Sequence, residues 1–336
     1  MGMSSARRSK TGLKWGLLST ARINRRLIPA IRTAERAELV AVASRSQKRA
    51  EAYAAEWDIR RVHGSYQSLL DDPDVDAIYI SLPNSIHAEW TVRAAEAGKH
   101  VLCEKPLAVS VTECDRIIAA AESAGVVVIE AVMYLHHPLL QEARRLVEEG
   151  AVGRVTLVRG ALSFFLDRPD DVRWKPELGG GALWDVGSYP ISFVRRMAGE
   201  PEQVFGWQRL AESGVDETFA GLLRYEGGVL GVFDCGFRTE WRSEAQVFGT
   251  EGTLTIIEPY TISAESRILL RRESDEEELR VREIEVYQCE VDALTAAVLD
   301  GAPLPVSLSS SRANVATVSA LYESARSGLP QPVSSA

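Results

Sequence analysis

Two short stretches near the start of the chain carry residue types suited to holding phosphate. The first, Ser19-Thr20-Ala21-Arg22-Ile23-Asn24, follows the apolar run Trp15–Leu18 and opens a helix-like segment. A strand, a tight turn and a helix N-terminus make an anion site, because backbone N–H groups and the helix dipole point at the ligand. Such turns normally carry glycines. Here Ser19 and Ala21 are the small residues, and serine can add a hydroxyl donor. Asn24 is bulkier and predicts looser packing of helix on strand. Taken alone, the turn fits an ordinary strand-to-helix connection as well as a nucleotide site.

The second stretch, Ser44-Arg45-Ser46-Gln47-Lys48-Arg49, ends the next apolar run. An NAD site would place an Asp or Glu roughly 20 residues after the turn, on the ribose 2′-hydroxyl. No carboxylate stands here. Ser44 can hydrogen-bond a 2′-phosphate, and Arg45 offers a planar fork to pair with it and stack on adenine. Cations at a helix start oppose the dipole unless an anion lies nearby. The pattern predicts NADP in preference to NAD.

Other chemistries fit poorly. At 336 residues with a net charge of −9, the chain repels polyphosphate backbones except at a local basic patch, which argues against nucleic acid as partner. The dense basic run Arg7-Arg8-Ser9-Lys10 falls in residues 1–12, read as a disordered extension rather than a signal peptide. No window approaches the ~18 apolar residues of a membrane span. Cys103, Cys114, Cys235 and Cys289 form no C-x-x-C and read as reduced thiols of a cytoplasmic protein without a structural metal. His136 and His137, adjacent on a helix, point apart and read as structural rather than as metal ligands.

The elements that must position these residues change character along the chain. Apolar, β-branched runs at 39–43, 77–80, 100–103 and 126–129 alternate with helical stretches at 47–57, 85–97 and 111–124, the last capped by Ser110. Gly98 and Gly125 mark helix ends. This predicts an α/β doubly wound parallel sheet, a Rossmann-type dinucleotide-binding domain, over residues 13–135. After a helix at 138–149 come alternating strands at 154–164, 203–210, 218–225, 228–237 and 246–257, with hairpin turns at Tyr225–Val229 and Phe248–Thr253. Closing helices follow at 287–300 and 309–327. Residues 136–330 therefore read as an α+β domain with one large, mostly antiparallel sheet, for substrate and for dimerisation through its uncovered face.

Three further stretches, "SLPNSIHAEW" (Ser81–Trp90), "CEKPLA" (Cys103–Ala108) and "GGGALWDVGSYPI" (Gly179–Ile191), together with the opening turn, resemble the Gfo/Idh/MocA (glucose–fructose oxidoreductase/inositol dehydrogenase) family. The chain is similar in particular to its dimeric dihydrodiol dehydrogenase and NADP-dependent D-xylose dehydrogenase branch, through "EAVMYLHHP", "GVDETFAGLLRY" and "GTEGTL". The resemblance implies that Lys105, Asp185 and Tyr189 are catalytic and touch substrate. Tyr189 would exchange a proton with the substrate hydroxyl, with Lys105 lowering a phenol pKa that starts near ~10 and hydrogen-bonding the substrate oxygen. Asp185 and Tyr189, four residues apart on one helix face, would act together, Asp185 orienting the sugar or the lysine. Pro106 makes a cis bond after Lys105 possible.

The resemblance also implies that the cofactor is held by Ser19, Thr20, Ala21, Arg22, Ile23, Ser44, Arg45, Arg49, Leu82, Pro83, Asn84, His87, Glu104 and Lys105. Asn84 is expected to cap the helix that carries His87. Glycines 179–181 give a flexible approach to the catalytic helix, and Gly187 leaves room beside the nicotinamide. Trp174 lies on a long substrate-side loop, where it can stack on a sugar ring; a core tryptophan is the alternative. The implied activity is an NADP-dependent oxidoreductase on a secondary alcohol or ketone of a monosaccharide, polyol or cyclic diol, working as a homodimer or dimer of dimers. NAD-dependent glycosidase-type chemistry and a non-catalytic cofactor-sensing regulator are the competing readings.

Overall fold

The computed structural model describes residues 11–333. Residues 1–10, most of the extension expected to be disordered, lie outside the described residues. Six parallel strands form the first sheet: β1 (Leu13–Leu17), β2 (Ala37–Ala43), β3 (Arg61–His63), β4 (Ala77–Ile80), β5 (His100–Glu104) and β6 (Val128–Ala131). Their order is β3-β2-β1-β4-β5-β6, so the strand order reverses between β1 and β4, the place where open α/β sheets bind ligands. β4 is buried at every position, as a strand covered on both faces must be. Edge strand β3 went unread in the sequence because it is three residues long and only half-buried.

Helices α1 (Asn24–Thr33), α2 (Gln47–Glu56), α3 (Tyr66–Leu70), α4 (His87–Glu96) and α5 (Val111–Ala124) connect the strands. Ser46 and Ser110 cap α2 and α5 by accepting the N–H of Arg49 and Glu113, and α5 ends on left-handed Gly125. α1 runs through Pro29 without interruption. Short α6 (Met133–His136) and α7 (Pro138–Glu148) lead to the second sheet. His137 caps α7 by accepting the Leu139 N–H at 3.1 Å, and His136 is buried, so the pair is structural.

The second sheet has nine strands: β7 (Val155–Phe165), β8 (Gln203–Leu210), β9 (Asp216–Arg224), β10 (Leu230–Gly236), β11 (Arg238–Gly249), β12 (Thr253–Ile257), β13 (Arg267–Arg272), β14 (Asp275–Leu279) and β15 (Gln331–Pro332). All its pairings are antiparallel except β7 with β10. The stretch expected as one strand over 246–257 is the end of β11, a turn, and β12. Strands β13 (RILLRR) and β14 (DEEEL) were missed, the first because its apolar run is only three residues long, the second because it is almost wholly charged. Helices α8 (Ser188–Ala198) and α10 (Leu308–Ser327) cover one face. On the sheet's opposite side Trp207 and Leu222 stand exposed.

Helix α9 (Val286–Asp300) departs from the expected division at residue 135. It packs on α1 and α6, sharing one apolar cluster with Leu27, Ile28, Ile31 and β1. Val286, Tyr287, Val291 and Leu294 form its inner stripe at helical spacing.

Candidate active site

A cleft of about 1120 Å³ opens at the C-terminal ends of β1, β4 and β5, walled on the far side by residues 164–189. Ala21, Arg22, Ile23, Leu82, Pro83, Asn84, His87, Glu104, Lys105, Asp185 and Tyr189 all line it. Thr20 and Arg49 line a smaller adjoining hollow with Ala21, Arg22 and Arg25.

The opening turn is held by side chains. Ser19, 6% exposed, bonds the Ser81 hydroxyl at 2.7 Å and accepts the Ala21 N–H at 3.0 Å. Its hydroxyl is thus committed within the protein and is not the free phosphate donor expected. Asn24, fully buried, donates to the Ser19 carbonyl at 2.8 Å and accepts from Ser81 at 2.7 Å. The bulkier residue therefore tightens the packing it was expected to loosen. Among the described residues no protein acceptor meets the N–H groups of Arg22 and Ile23 at this helix start. Small residues with unpaired N–H groups fit a pyrophosphate.

At the end of β2, Ser44 is buried and its hydroxyl lies 3.4 Å from the Ser46 N–H, a weak internal contact. Arg45 and Arg49 are exposed, and both oppose the rise that burial imposes on the Tyr66 pKa, which sets them beside that ring. Arg22, Arg45, Lys48 and Arg49 have no carboxylate within ion-pair reach among the described residues. Arg25, by contrast, pairs with Glu56 at 3.2 Å. This collection of unpaired cations with no ribose-binding carboxylate at the end of β2 fits a phosphorylated adenosine.

His87 is 1% exposed, its ring nitrogens each 2.7 Å from a carbonyl oxygen, of Pro106 and of Leu82. Burial lowers its pKa, the two carbonyls opposing. It braces the loops after β4 and β5. Asn84 begins a single 3₁₀ turn (Asn84–Ile86) and does not cap α4; its amide crosses the cleft to the Gly179 carbonyl at 2.8 Å. Glu104 accepts the Tyr79 hydroxyl and, at 3.3 Å, the Lys105 N–H. Its pKa is raised by burial, against the pull of Tyr79 and Lys105.

The Lys105–Pro106 bond is cis. The Lys105 ammonium donates to the Asp185 carboxylate at 2.8 Å and to its backbone carbonyl at 2.6 Å. Local sequence explains why that carbonyl is available. Leu183–Gly187 forms one π-helical turn before α8, whose ladder reaches five residues ahead, and Pro190 in that place has no N–H to give. Lys105 and the Ser188 hydroxyl, at 3.1 Å, take its place.

The turn itself is pinned by Asp216, which accepts the Leu183 N–H at 2.7 Å. The glycine run gives closeness rather than flexibility: a β-carbon on Gly181 would fall 2.2 Å from Asp216 Oδ1, at a φ of +117°. Gly187 likewise faces the core, where a β-carbon would meet Cys235 Sγ at 2.9 Å. It does not make the room expected beside a cofactor.

Asp185 also receives the Arg173 guanidinium at 2.5 Å. Burial opposes its ionised form, but Lys105 and Arg173 outweigh that and hold the carboxyl well below the usual range. Lys105 lies over the Tyr189 ring, 4.9 Å from its centre, while the hydroxyl meets Met133 Sδ at 3.5 Å. The expected lowering of the phenol pKa does not occur. Burial, then the fields of Tyr287, Glu104, Asp185 and Glu290, push it well above its ordinary value.

Trp174 does not line the cleft. It is 8% exposed, packs edge-on against Phe237 with ring centres 5.3 Å apart, and donates to the Arg168 carbonyl at 3.0 Å. It is the core tryptophan of the two alternatives. Tyr287, by contrast, reaches the cleft from α9 and carried no local signal in the sequence. Among the described residues no group of His, Cys, Asp and Glu is placed to hold a metal, and no helix is long and apolar enough to cross a membrane.

A Rossmann sheet joined to a mostly antiparallel α+β sheet, with a cleft between them, defines a class of two-part oxidoreductases. The chain belongs to the Gfo/Idh/MocA oxidoreductase family: residues 13–132 match its NAD-binding Rossmann domain and residues 140–255 its C-terminal domain. It is 36% identical over 321 residues to D-xylose 1-dehydrogenase (NADP(+)) 2 of Haloferax volcanii, covering 94% of this chain and 98% of that one. It is 37% identical over 249 residues to trans-1,2-dihydrobenzene-1,2-diol dehydrogenase of Danio rerio, covering 73% and 74%. Among solved structures, a 3-ketoreductase from Actinomadura kijaniata in complex with NADP and TDP-benzene superposes with a TM-score of 0.87 at 29% identity, over 93% of this chain and 98% of that one.

Proposed function

We propose that this protein is an NADP-dependent oxidoreductase that interconverts a secondary alcohol and ketone of a sugar, polyol or cyclic diol. The observation that carries it is the convergence of Lys105 and Tyr189 in a cleft continuous with the Ser19–Asn24 turn. Ala21–Ile23 would hold the pyrophosphate and Arg22, Arg45 and Arg49 the adenosine phosphate, with Leu82, Pro83 and Glu104 beside the nicotinamide end. The nicotinamide supplies the hydride acceptor or donor.

The remaining chemistry falls to the chain. Asp185 fixes Lys105, whose third proton is left for the substrate oxygen. Tyr189, kept neutral by burial, holds a proton that it would give to the forming alkoxide when the ketone is reduced. Its phenol would leave Met133 to do so. We also propose that the uncovered sheet face, with Trp207 66% exposed, joins two copies of the chain. Light scattering on the purified protein tests this, and a monomer at every concentration would refute it.

The decisive assay mixes protein with NADP⁺ or NAD⁺ and a panel of aldoses, inositols and cyclic diols, following reduced-nicotinamide absorbance. Turnover faster with NADP⁺ is expected, and Arg45→Asp is expected to swing preference towards NAD⁺. NADPH binding without turnover on any substrate would instead mean a cofactor-sensing regulator.

A further inference from the structure

The two ends of the cleft treat charge differently. Beyond its cofactor end, Arg22 and Arg49 line the adjoining hollow and Arg45 and Lys48 follow the end of β2, none with a carboxylate in ion-pair reach among the described residues. At the opposite end every cation is already taken. Lys105 is held by Asp185 at 2.8 Å, Arg173 by Asp185 at 2.5 Å and Asp171 at 3.2 Å, and Arg168 by Asp171 at 2.9 Å.

The same wall carries Asp167 and Asp170, both exposed and with no cationic partner among the described residues. Three cations thus face four carboxylates. A phosphate arriving here must share Arg168 or Arg173 with the carboxylates already paired to them, while two free carboxylates repel it. A neutral polyol meets no such penalty. Its hydroxyls can donate to the carboxylates and accept from Lys105. Phe165, 60% exposed, with half-buried Phe164 and exposed Val172, gives an apolar rim for the C–H face of a ring.

We infer that the substrate is electrically neutral, an unphosphorylated sugar, polyol or diol, and that Asp167 and Asp170 exclude phosphorylated and nucleotide-linked sugars. This rests on the oxidoreductase reading and narrows it. The A. kijaniata relative, solved with TDP-benzene, shows that the scaffold accepts a nucleoside diphosphate. The exclusion would therefore be a property of this chain's own cleft residues and not of the fold.

The test uses the full chain with NADP⁺ on two sets of probes, at low and high salt. The neutral set is D-glucose, D-xylose, myo-inositol and trans-cyclohexane-1,2-diol. The anionic set is D-glucose 6-phosphate, myo-inositol 1-phosphate and TDP-D-glucose. The kcat/KM of the best neutral probe should exceed that of its anionic counterpart by ~10-fold or more, and the gap should narrow as salt screens the carboxylates. Joint Asp167→Asn and Asp170→Asn substitution should raise the anionic-to-neutral ratio by ~3-fold or more at low salt. An anionic probe used as well as its neutral twin, or a ratio the double variant leaves unmoved, overturns the inference while the oxidoreductase reading stands. No turnover on either set, with NADPH still bound, overturns both.

Discussion

The region around Asp185 and the region around Glu290 both draw a carboxyl group out of water, yet the two end in opposite charge states. Asp185, 13% exposed, faces an ammonium and a guanidinium and stays ionised. Glu290 is fully buried on the inner face of α9, neither oxygen has a hydrogen-bond partner among the described residues, and burial, then the fields of Glu104 and Glu285, push its pKa far up. Asp216 stands between them. It receives the Tyr322 hydroxyl and the Leu183 N–H, each at 2.7 Å, but pairs with no cation among the described residues, and burial outweighs those dipoles to raise its pKa to about 6. The series teaches that full positive charges overcome desolvation here, that dipoles do so only in part, and that a carboxyl with neither is held as the neutral acid.

Breaking the ionised end should have the largest effect. Asp185→Ala leaves Arg173 with Asp171 alone and Lys105 with no paired carboxylate, and frees the ammonium from its position. Turnover should fall by ~100-fold or more and unfolding free energy by about 3 kcal/mol, while NADPH affinity changes little. Steady-state kinetics, urea melts and a fluorescence titration of NADPH measure the three. Retained turnover would remove Asp185 from the mechanism.

The middle case gives a pH signature. Because the folded pKa of Asp216 lies above its unfolded value, the folded state holds the proton more tightly. Its contribution is fully present below the unfolded pKa and is lost as pH rises through about 6, by roughly 2–3 kcal/mol. Denaturant melts across that window should show the native chain losing stability relative to Asp216→Asn. Parallel curves would mean that the dipoles around Asp216 compensate its burial fully.

The smallest effect is expected at the neutral end. Glu290→Leu removes a polar group that nothing satisfies, so stability at neutral pH should hold or rise by about 1 kcal/mol, with activity retained. Thermal melts and the turnover assay check this. A large loss of activity would show that Glu290 has a chemical task.

Much of this was legible in the chain's spelling. Apolar β-branched runs separated by capped helices gave the parallel sheet, and "CEKPLA" and "WDVGSYP" marked Lys105, Asp185 and Tyr189 as residues to look for in the cleft. What stayed hidden depends on distance in space. No local pattern says that the Lys105 ammonium is spent on Asp185 or that burial keeps the Tyr189 phenol neutral. Nor does any say that Asn24 and Ser19 lock onto Ser81 across the sheet. Trp174 sits beside a substrate wall in sequence but faces the core, because Phe237 lies behind it.

The return of α9 to the first sheet has a consequence for how the molecule is divided. Leu27, Ile28 and Ile31 find their cover in residues supplied some 260 positions later, and Arg36 is tied to Asp300 at 2.6 Å. A fragment cut at residue 135 would carry the whole dinucleotide sheet but expose that apolar stripe to water. The apolar face of α1 thus stays uncovered during synthesis until residues 286–294 have been made, well after the dinucleotide sheet itself is complete.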